Sequence, residues 1–202
     1  MGAILQSLGR TVTAGVVLLI VIIILVGAIG KTWIDLGQHA WWSFFFRYLH
    51  VLSGVMWIGL LWYFNFVQTP GMPKIPDEQK PAISKVIAPS ALFWFRWAAL
   101  STVVTGLIVA GMQGYIGKAL AFQAPFHPIG IGMWLGLIMA FNVWFIIWPN
   151  QKKVLGIVEA SAEEKPKAAK LAGQASRINT LLSIPMLFCM VAFQNGGFSG
   201  GL

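Results

Sequence analysis

Acidic residues are scarce in this chain of 202 residues, and none of them falls inside an apolar stretch. The six acids are Asp35, Asp77, Glu78, Glu159, Glu163 and Glu164. Without intramembrane carboxylates, an ion-coupled pump or transporter lacks its usual proton carriers. Cysteine is nearly absent too. Cys189 alone excludes an internal disulfide, a cysteine-ligated iron–sulfur cluster and haem attachment through C-x-x-C-H. No Walker loop, dinucleotide fingerprint or inverted repeat is present. The methionines are scattered along the chain, which reads as packing and not as copper ligation.

Charge as a whole is low. Only 10% of residues are charged and 57% are hydrophobic, against about a quarter charged in soluble domains. The composition is that of an all-α integral membrane protein with lipid as its surroundings. Five apolar segments, 11–29, 44–67, 91–112, 129–148 and 178–193, supply roughly 16 to 24 residues each, near what a helix needs to cross a core of about 30 Å. Continuous apolar runs without alternation exclude barrel strands. The first segment, VVLLIVIIILVG, has no polar residue in its middle. Its length and the lack of an Ala-x-Ala site argue for a retained anchor over a signal peptide. The expected organisation is a single membrane domain, with 1–30 as a peripheral anchor helix and 41–195 as a bundle of the remaining four helices.

The placement of cations fixes an expected orientation. With five alternating helices, one side holds Arg10, Lys74, Lys80, Lys85, Lys152, Lys153, Lys165, Lys167, Lys170 and Arg177, whereas the other holds Lys31 and Lys118. By the positive-inside rule the N-terminus is cytoplasmic and the C-terminus outside, in the inner membrane of a bacterium. The net charge of +8 is then a topology signal. Nucleic-acid binding is excluded as its explanation, because these lysines lack interleaved aromatics.

Within the second segment lie two residues that hydrocarbon disfavours, Arg47 and His50. A charge at mid-membrane costs on the order of 3 kcal/mol, so an ionisable group in a span marks a candidate site. Imidazole can enter neutral and offer a ring nitrogen to a metal. Arg47, His50, Gly54, Trp57 and Leu61 follow steps of three and four on one helix face. An axial ligand, a small residue beside it and a cation for carboxylates are what a flat macrocycle bound edge-in requires, so this face suggests haem b. The competing reading is a histidine bonded to a neighbouring helix's carbonyl, with Arg47 reaching the interface.

A second axial ligand must come from another element. On one helix His39 would stand roughly 16 Å from His50 along the axis, so His50 with His127 is the better pair. His127 reads equally as a solvent-facing turn residue, and methionine, lysine or no second ligand are alternatives. The orientation puts all three histidines toward the outer side.

Other segments carry structural expectations. KTWIDLGQHAWW reads as interfacial, with its tryptophans at headgroup level. Residues 72–81, with Pro73, Pro76 and Pro81, read as a loop. Arg96 reads as snorkelling or functional. Gly132, Gly136 and Ala140 allow either close helix approach or a flat ligand. Ser161-x-x-Glu164 is a possible capping box, weakened by Pro166. The fifth helix is expected to begin at Arg177 and to kink at Pro185, and the tail GGFSGGL to be mobile.

RYLHVLSGVMWIGLLWYFNFVQ (47–68), FNVWFIIWPNQKKVLG (141–156) and SRINTLLSIPMLF (176–188) resemble the membrane domain of the bacterial cytochrome-linked urate oxidases, over about residues 41–193. More distantly, His50, Gly54, Trp57 and residues 85–89 resemble the membrane-bound protoporphyrinogen oxidase family. The second resemblance implies haem b with His50 as ligand. The first implies a c-type cytochrome domain after the bundle, whereas this sequence ends at Leu202 without C-x-x-C-H. A separate outer cytochrome could take that place.

The expected function is therefore haem b binding and electron transfer to an extracytoplasmic acceptor. His50 and His127 are the expected ligands, Arg47 pairs a propionate and Gly54 admits the ring. Two alternatives stand beside it. One is a cofactor-free structural subunit of a larger respiratory or photosynthetic membrane complex. The other, resting on the resemblance, is urate or porphyrinogen oxidation with a separate cytochrome.

Overall fold

A computed structural model describes residues 2–197 and is helical throughout, with no strand among the described residues. The part of the glycine-rich tail from Phe198 onward lies outside the described residues. Five helices are long and apolar enough to cross a membrane: α1 (Leu8–Gly30), α2 (His39–Lys74), α3 (Lys80–Met112), α4 (His127–Val154) and α5 (Glu164–Gln194). The chain divides into two compact units, Met1–Trp42 and Ser43–Leu202.

In the first unit α1 exposes nearly every large apolar side chain, as a lipid-facing helix does. It ends at Lys31, whose left-handed backbone (φ 52°) closes the last turn. The Trp33 ring covers Gly27, the buried residue of α1, where a Cβ would stand 2.7 Å from Trp33 Cε3. Asp35 accepts from the Gly37 amide at 2.9 Å and the Gln38 side chain at 3.1 Å, and the Trp42 indole donates to the Leu36 carbonyl at 2.9 Å.

The second unit packs α2 to α5 around Trp57, Leu61, Phe95, Met139 and Val143. Lipid competes with apolar contacts, so close packing and interhelical hydrogen bonds hold such a bundle. α5 provides both. Ala168, Ala172, Ala175, Asn179, Ser183, Met186, Cys189 and Ala192 form a buried stripe at steps of three and four. Asn179 accepts from Asn142 Nδ2 at 2.8 Å and donates to the Met139 carbonyl at 2.9 Å. Ser183 Oγ accepts from the Trp62 indole at 3.0 Å. Gly132 lets α4 approach α5, since a Cβ there would meet Cys189 Cβ at 3.3 Å.

Three of these helices run past a proline without breaking. Residues Tyr63–Gln68, Ile83–Ile87 and Asn142–Ile147 are π-helical, and each stretch ends two residues before a proline: Pro70, Pro89 and Pro149. A proline lacks the N–H and crowds the carbonyl four residues back, here Phe66, Lys85 and Phe145. The wider π turn gives that carbonyl room.

Two expectations need correction. Residues 72–81 are not all loop: α2 continues to Lys74 as a 3-10 turn and α3 starts at Lys80, leaving 75–79 between them. Pro81 stands in the first turn of α3, where the missing N–H has no partner to lose, and Pro73 in the closing 3-10 turn of α2. α5 begins at Glu164, thirteen positions before Arg177, because hydropathy marks only the apolar part of a helix whose start, EKPKAAKLAGQASR, is polar. The capping box forms despite Pro166: the Ser161 amide donates to Glu164 Oε2 at 2.9 Å and the Glu164 amide to Ser161 Oγ at 3.1 Å. α5 runs as one helix with Pro185 inside it.

Candidate functional site

Cavities lie between the four helices of the second unit at both of its ends. The larger, about 620 Å³, lies at the end carrying the 113–126 connection and is walled almost wholly by apolar groups. Its volume is within the roughly 300–1,000 Å³ usual for small-molecule and cofactor sites. α2 contributes Arg47, His50, Gly54 and Trp57, as their spacing on one face predicts. Leu61, next on that face, is fully buried in the core.

His50 is half-buried. Its Nδ1 sits 2.8 Å from the Thr102 carbonyl oxygen. A carbonyl only accepts, so Nδ1 carries the proton and Nε2 keeps its lone pair. The bond to a neighbouring helix expected of a purely structural histidine is therefore made, and it uses one nitrogen of two. Metal-binding histidines commonly have this arrangement, in which the second ring nitrogen is anchored to a carbonyl. The Thr105 hydroxyl donates to the Ser101 carbonyl at 2.6 Å and lies 3.4 Å from Nδ1, adding a weaker contact.

Glycines make the space. A Cβ on Gly106 would stand 2.8 Å from His50 Cε1 and 3.0 Å from Nδ1, so the imidazole rests directly on the α3 backbone. Gly54 and Gly59 on α2 and Gly136 on α4 also line the cavity, with the nearest contact at 3.9 Å or beyond. The stripe of small residues on α4 is thus divided between two uses: Gly132 admits α5 and Gly136 opens the cavity.

Two donors are left over. Arg47 Nε and Trp57 Nε1 are buried with no hydrogen-bond partner, and both residues line the cavity. A buried polar atom without a partner costs about 1–3 kcal/mol, which a bound acceptor would offset. Tyr115, at the same end, is buried and stacks on Phe126 at 5.4 Å. Burial raises its phenol above the ordinary value and the Arg47 charge pulls it back. Gln113 donates to Ser43 Oγ at 2.5 Å, tying the end of α3 to α2.

The remaining site expectations divide. His127 opens α4 but is exposed and does not line the cavity, so it is not brought together with His50. No cluster of three metal-ligating side chains occurs among the described residues. Met133, Met186 and Met190 supply thioethers to the cavity wall. Arg96 lies 3.7 Å from the centre of the Trp148 ring, a cation–π contact. Thr102, Thr105 and Gly106 do not stand out in the sequence. Their signal is a glycine in an apolar span with two hydroxyl residues one and four positions before it.

Residues 107–196 match the family model described as urate oxidase N-terminal. The match takes in the end of α3, the connection after it, α4 and α5, and leaves out the α2 segment with Arg47 and His50. Neither the curated proteins nor the solved structures gave a match to the chain.

Proposed function

We propose that this chain is a multi-pass protein of a bacterial inner membrane, with its N-terminus cytoplasmic, that binds haem b beside His50. In this reading it passes electrons to an extracytoplasmic acceptor such as a separate c-type cytochrome. The observation that carries the reading is the division of labour in His50: Nδ1 is anchored on the Thr102 carbonyl and Nε2 is left as a ligand atom within a cofactor-sized cavity.

The residues present fit the group. His50 would hold the iron through Nε2, Gly106 seats its imidazole, and Gly54, Gly59 and Gly136 leave space for a flat ring. Arg47, with its unpartnered Nε on the cavity wall, would pair a propionate. The Met133, Met186 and Met190 thioethers line the wall and would offer a second donor, whereas His127 is exposed and does not line the cavity. Haem supplies one-electron redox chemistry when bound. The largely apolar wall keeps water out, and axial ligation and burial are the means by which such a site tunes its potential.

The orientation rests on the basic residues of the helix ends that flank the 75–79 and 155–163 connections, among them Lys74, Lys80, Lys152, Lys153 and Lys165, opposite the His50 cavity. That places the cavity toward the outer face. Pyridine haemochrome assay of the purified protein tests the proposal: one haem b per chain is expected, and a protein colourless even after haemin addition would overturn it.

The match over residues 107–196 supports a second reading, urate oxidation with electrons leaving through the same haem to a separate cytochrome. Urate-dependent reduction of cytochrome c by the haem-loaded protein would establish it. Failure of that assay would leave the haem proposal standing.

A further inference from the structure

The second cavity, about 360 Å³, lies at the basic end of the bundle, and its chemistry is the reverse of the first. All four helices of the second unit end or begin there. Asn65, Gln68, Gln151, Lys170, Ser176 and Arg177 line it, and no acidic residue does. Leu92 and Phe95 form an apolar floor. Asn65 is fixed in place, donating to the Leu61 carbonyl at 2.9 Å and to Ser176 Oγ at 2.8 Å. Gln68 Oε1 is buried and has no hydrogen-bond partner. Lys170 and Arg177 make no ion pair among the described residues.

The π-helical stretches converge on this place. Phe64, Asn65 and Gln68 belong to the stretch in α2 and Ile147 to that in α4, while Ala88 directly follows the stretch in α3. π turns are rare and occur frequently at functional sites. Here they turn amide side chains toward a cavity where regular α-helix would repeat the apolar face.

The geometry points to a binding site for a glycerophosphate headgroup, independent of the haem reading. Two unpaired cations beside a polar wall without carboxylates select an anion. The buried Gln68 oxygen asks for an O–H donor on the same ligand. The cations are exposed, and Ile178, where the apolar part of α5 starts, directly follows Arg177, which puts the site at headgroup depth. Basic pockets between spans are where anionic lipids bind. A phosphate diester faces Lys170 and Arg177, and a glycerol hydroxyl donates to Gln68.

Native mass spectrometry of the full chain, with detergent micelles carrying either phosphatidylglycerol or phosphatidylcholine, tests this. Retention of phosphatidylglycerol over phosphatidylcholine is expected, weakened about fivefold by Lys170→Gln or Arg177→Gln. Gln68→Leu is expected to weaken it as well. Lys167→Gln removes a nearby cation that does not line the cavity, and it should leave retention unchanged. Melting curves on each variant confirm folding, and the two exposed cations can be replaced without disturbing the core. Displacement of the lipid by millimolar glycerol 3-phosphate would assign the same chemistry to a soluble phosphate ester as well. Equal retention of both lipids, or equal loss in Lys167→Gln and Arg177→Gln, would overturn the proposal.

Discussion

The His50 imidazole lies against Gly106 so closely that a Cβ there would come within 2.8 Å of Cε1. The contact joins α2 to α3 where one ring nitrogen of His50 is anchored and the other keeps its lone pair. Space, tautomer and ligand atom are therefore set together by two residues 56 positions apart in the sequence.

Gly106→Ala tests this directly. The added methyl pushes the ring off the Thr102 carbonyl, and overpacking of this kind costs about 1–3 kcal/mol. Haem content should fall and the Soret maximum should shift while far-ultraviolet circular dichroism stays helical. Unchanged haem and melting temperature would show that the close approach is dispensable.

The buried amide pair carries a second prediction. Asn179→Leu removes both the acceptor for Asn142 and the donor to the Met139 carbonyl, and interhelical hydrogen bonds in membranes are worth about 0.6–2 kcal/mol. Unfolding in sodium dodecyl sulfate should shift to lower detergent fractions. The Asn142→Leu, Asn179→Leu double variant should be less destabilised than the sum of the two singles, since no unsatisfied amide then remains.

At the start of α5, Ser161→Ala removes the acceptor for the Glu164 amide. Loss of such a cap costs about 0.5–2 kcal/mol of local stability. Hydrogen exchange should quicken at residues 163–167 and stay unchanged around Ser183, because the effect is confined to the first turn.

A pH effect is expected at the 75–79 connection. Asp77 accepts from Lys80 at 2.5 Å, and that bond and the Lys80 charge hold its carboxyl below the usual range. A lowered folded value means that the interaction is complete above the ordinary aspartate range and is lost as pH falls through the lowered value. Carboxyl titration by NMR should show the depressed midpoint, and Lys80→Ala should restore the ordinary one. The pair is exposed, so global stability should hardly respond.

How far the sequence made this legible depends on the residue. The face carrying Arg47, His50, Gly54 and Trp57 could be read because helical spacing is a local property, and all four line one cavity. The five apolar spans were legible for the same reason. Helix ends were not: residues 164–177 are polar, and polar helix is invisible to hydropathy. At the prolines 70, 89 and 149 the chain stays helical, with a widened turn before each that hydropathy does not show. Gly106 and Thr102 belong to a different helix from His50, so their part in the site depends on how α3 packs on α2, which no pattern in either segment encodes. His127 illustrates the reverse case, a plausible ligand type that the turn before α4 leaves on the surface.

The most direct measurement is the reduced-minus-oxidised absorption spectrum of His50→Gly, taken with and without added imidazole. Coordination by Nε2 requires that the haem b bands of the native protein vanish or shift in the variant and return with imidazole. A native protein without haem bands, or a His50→Gly spectrum identical to the native one, would contradict the account.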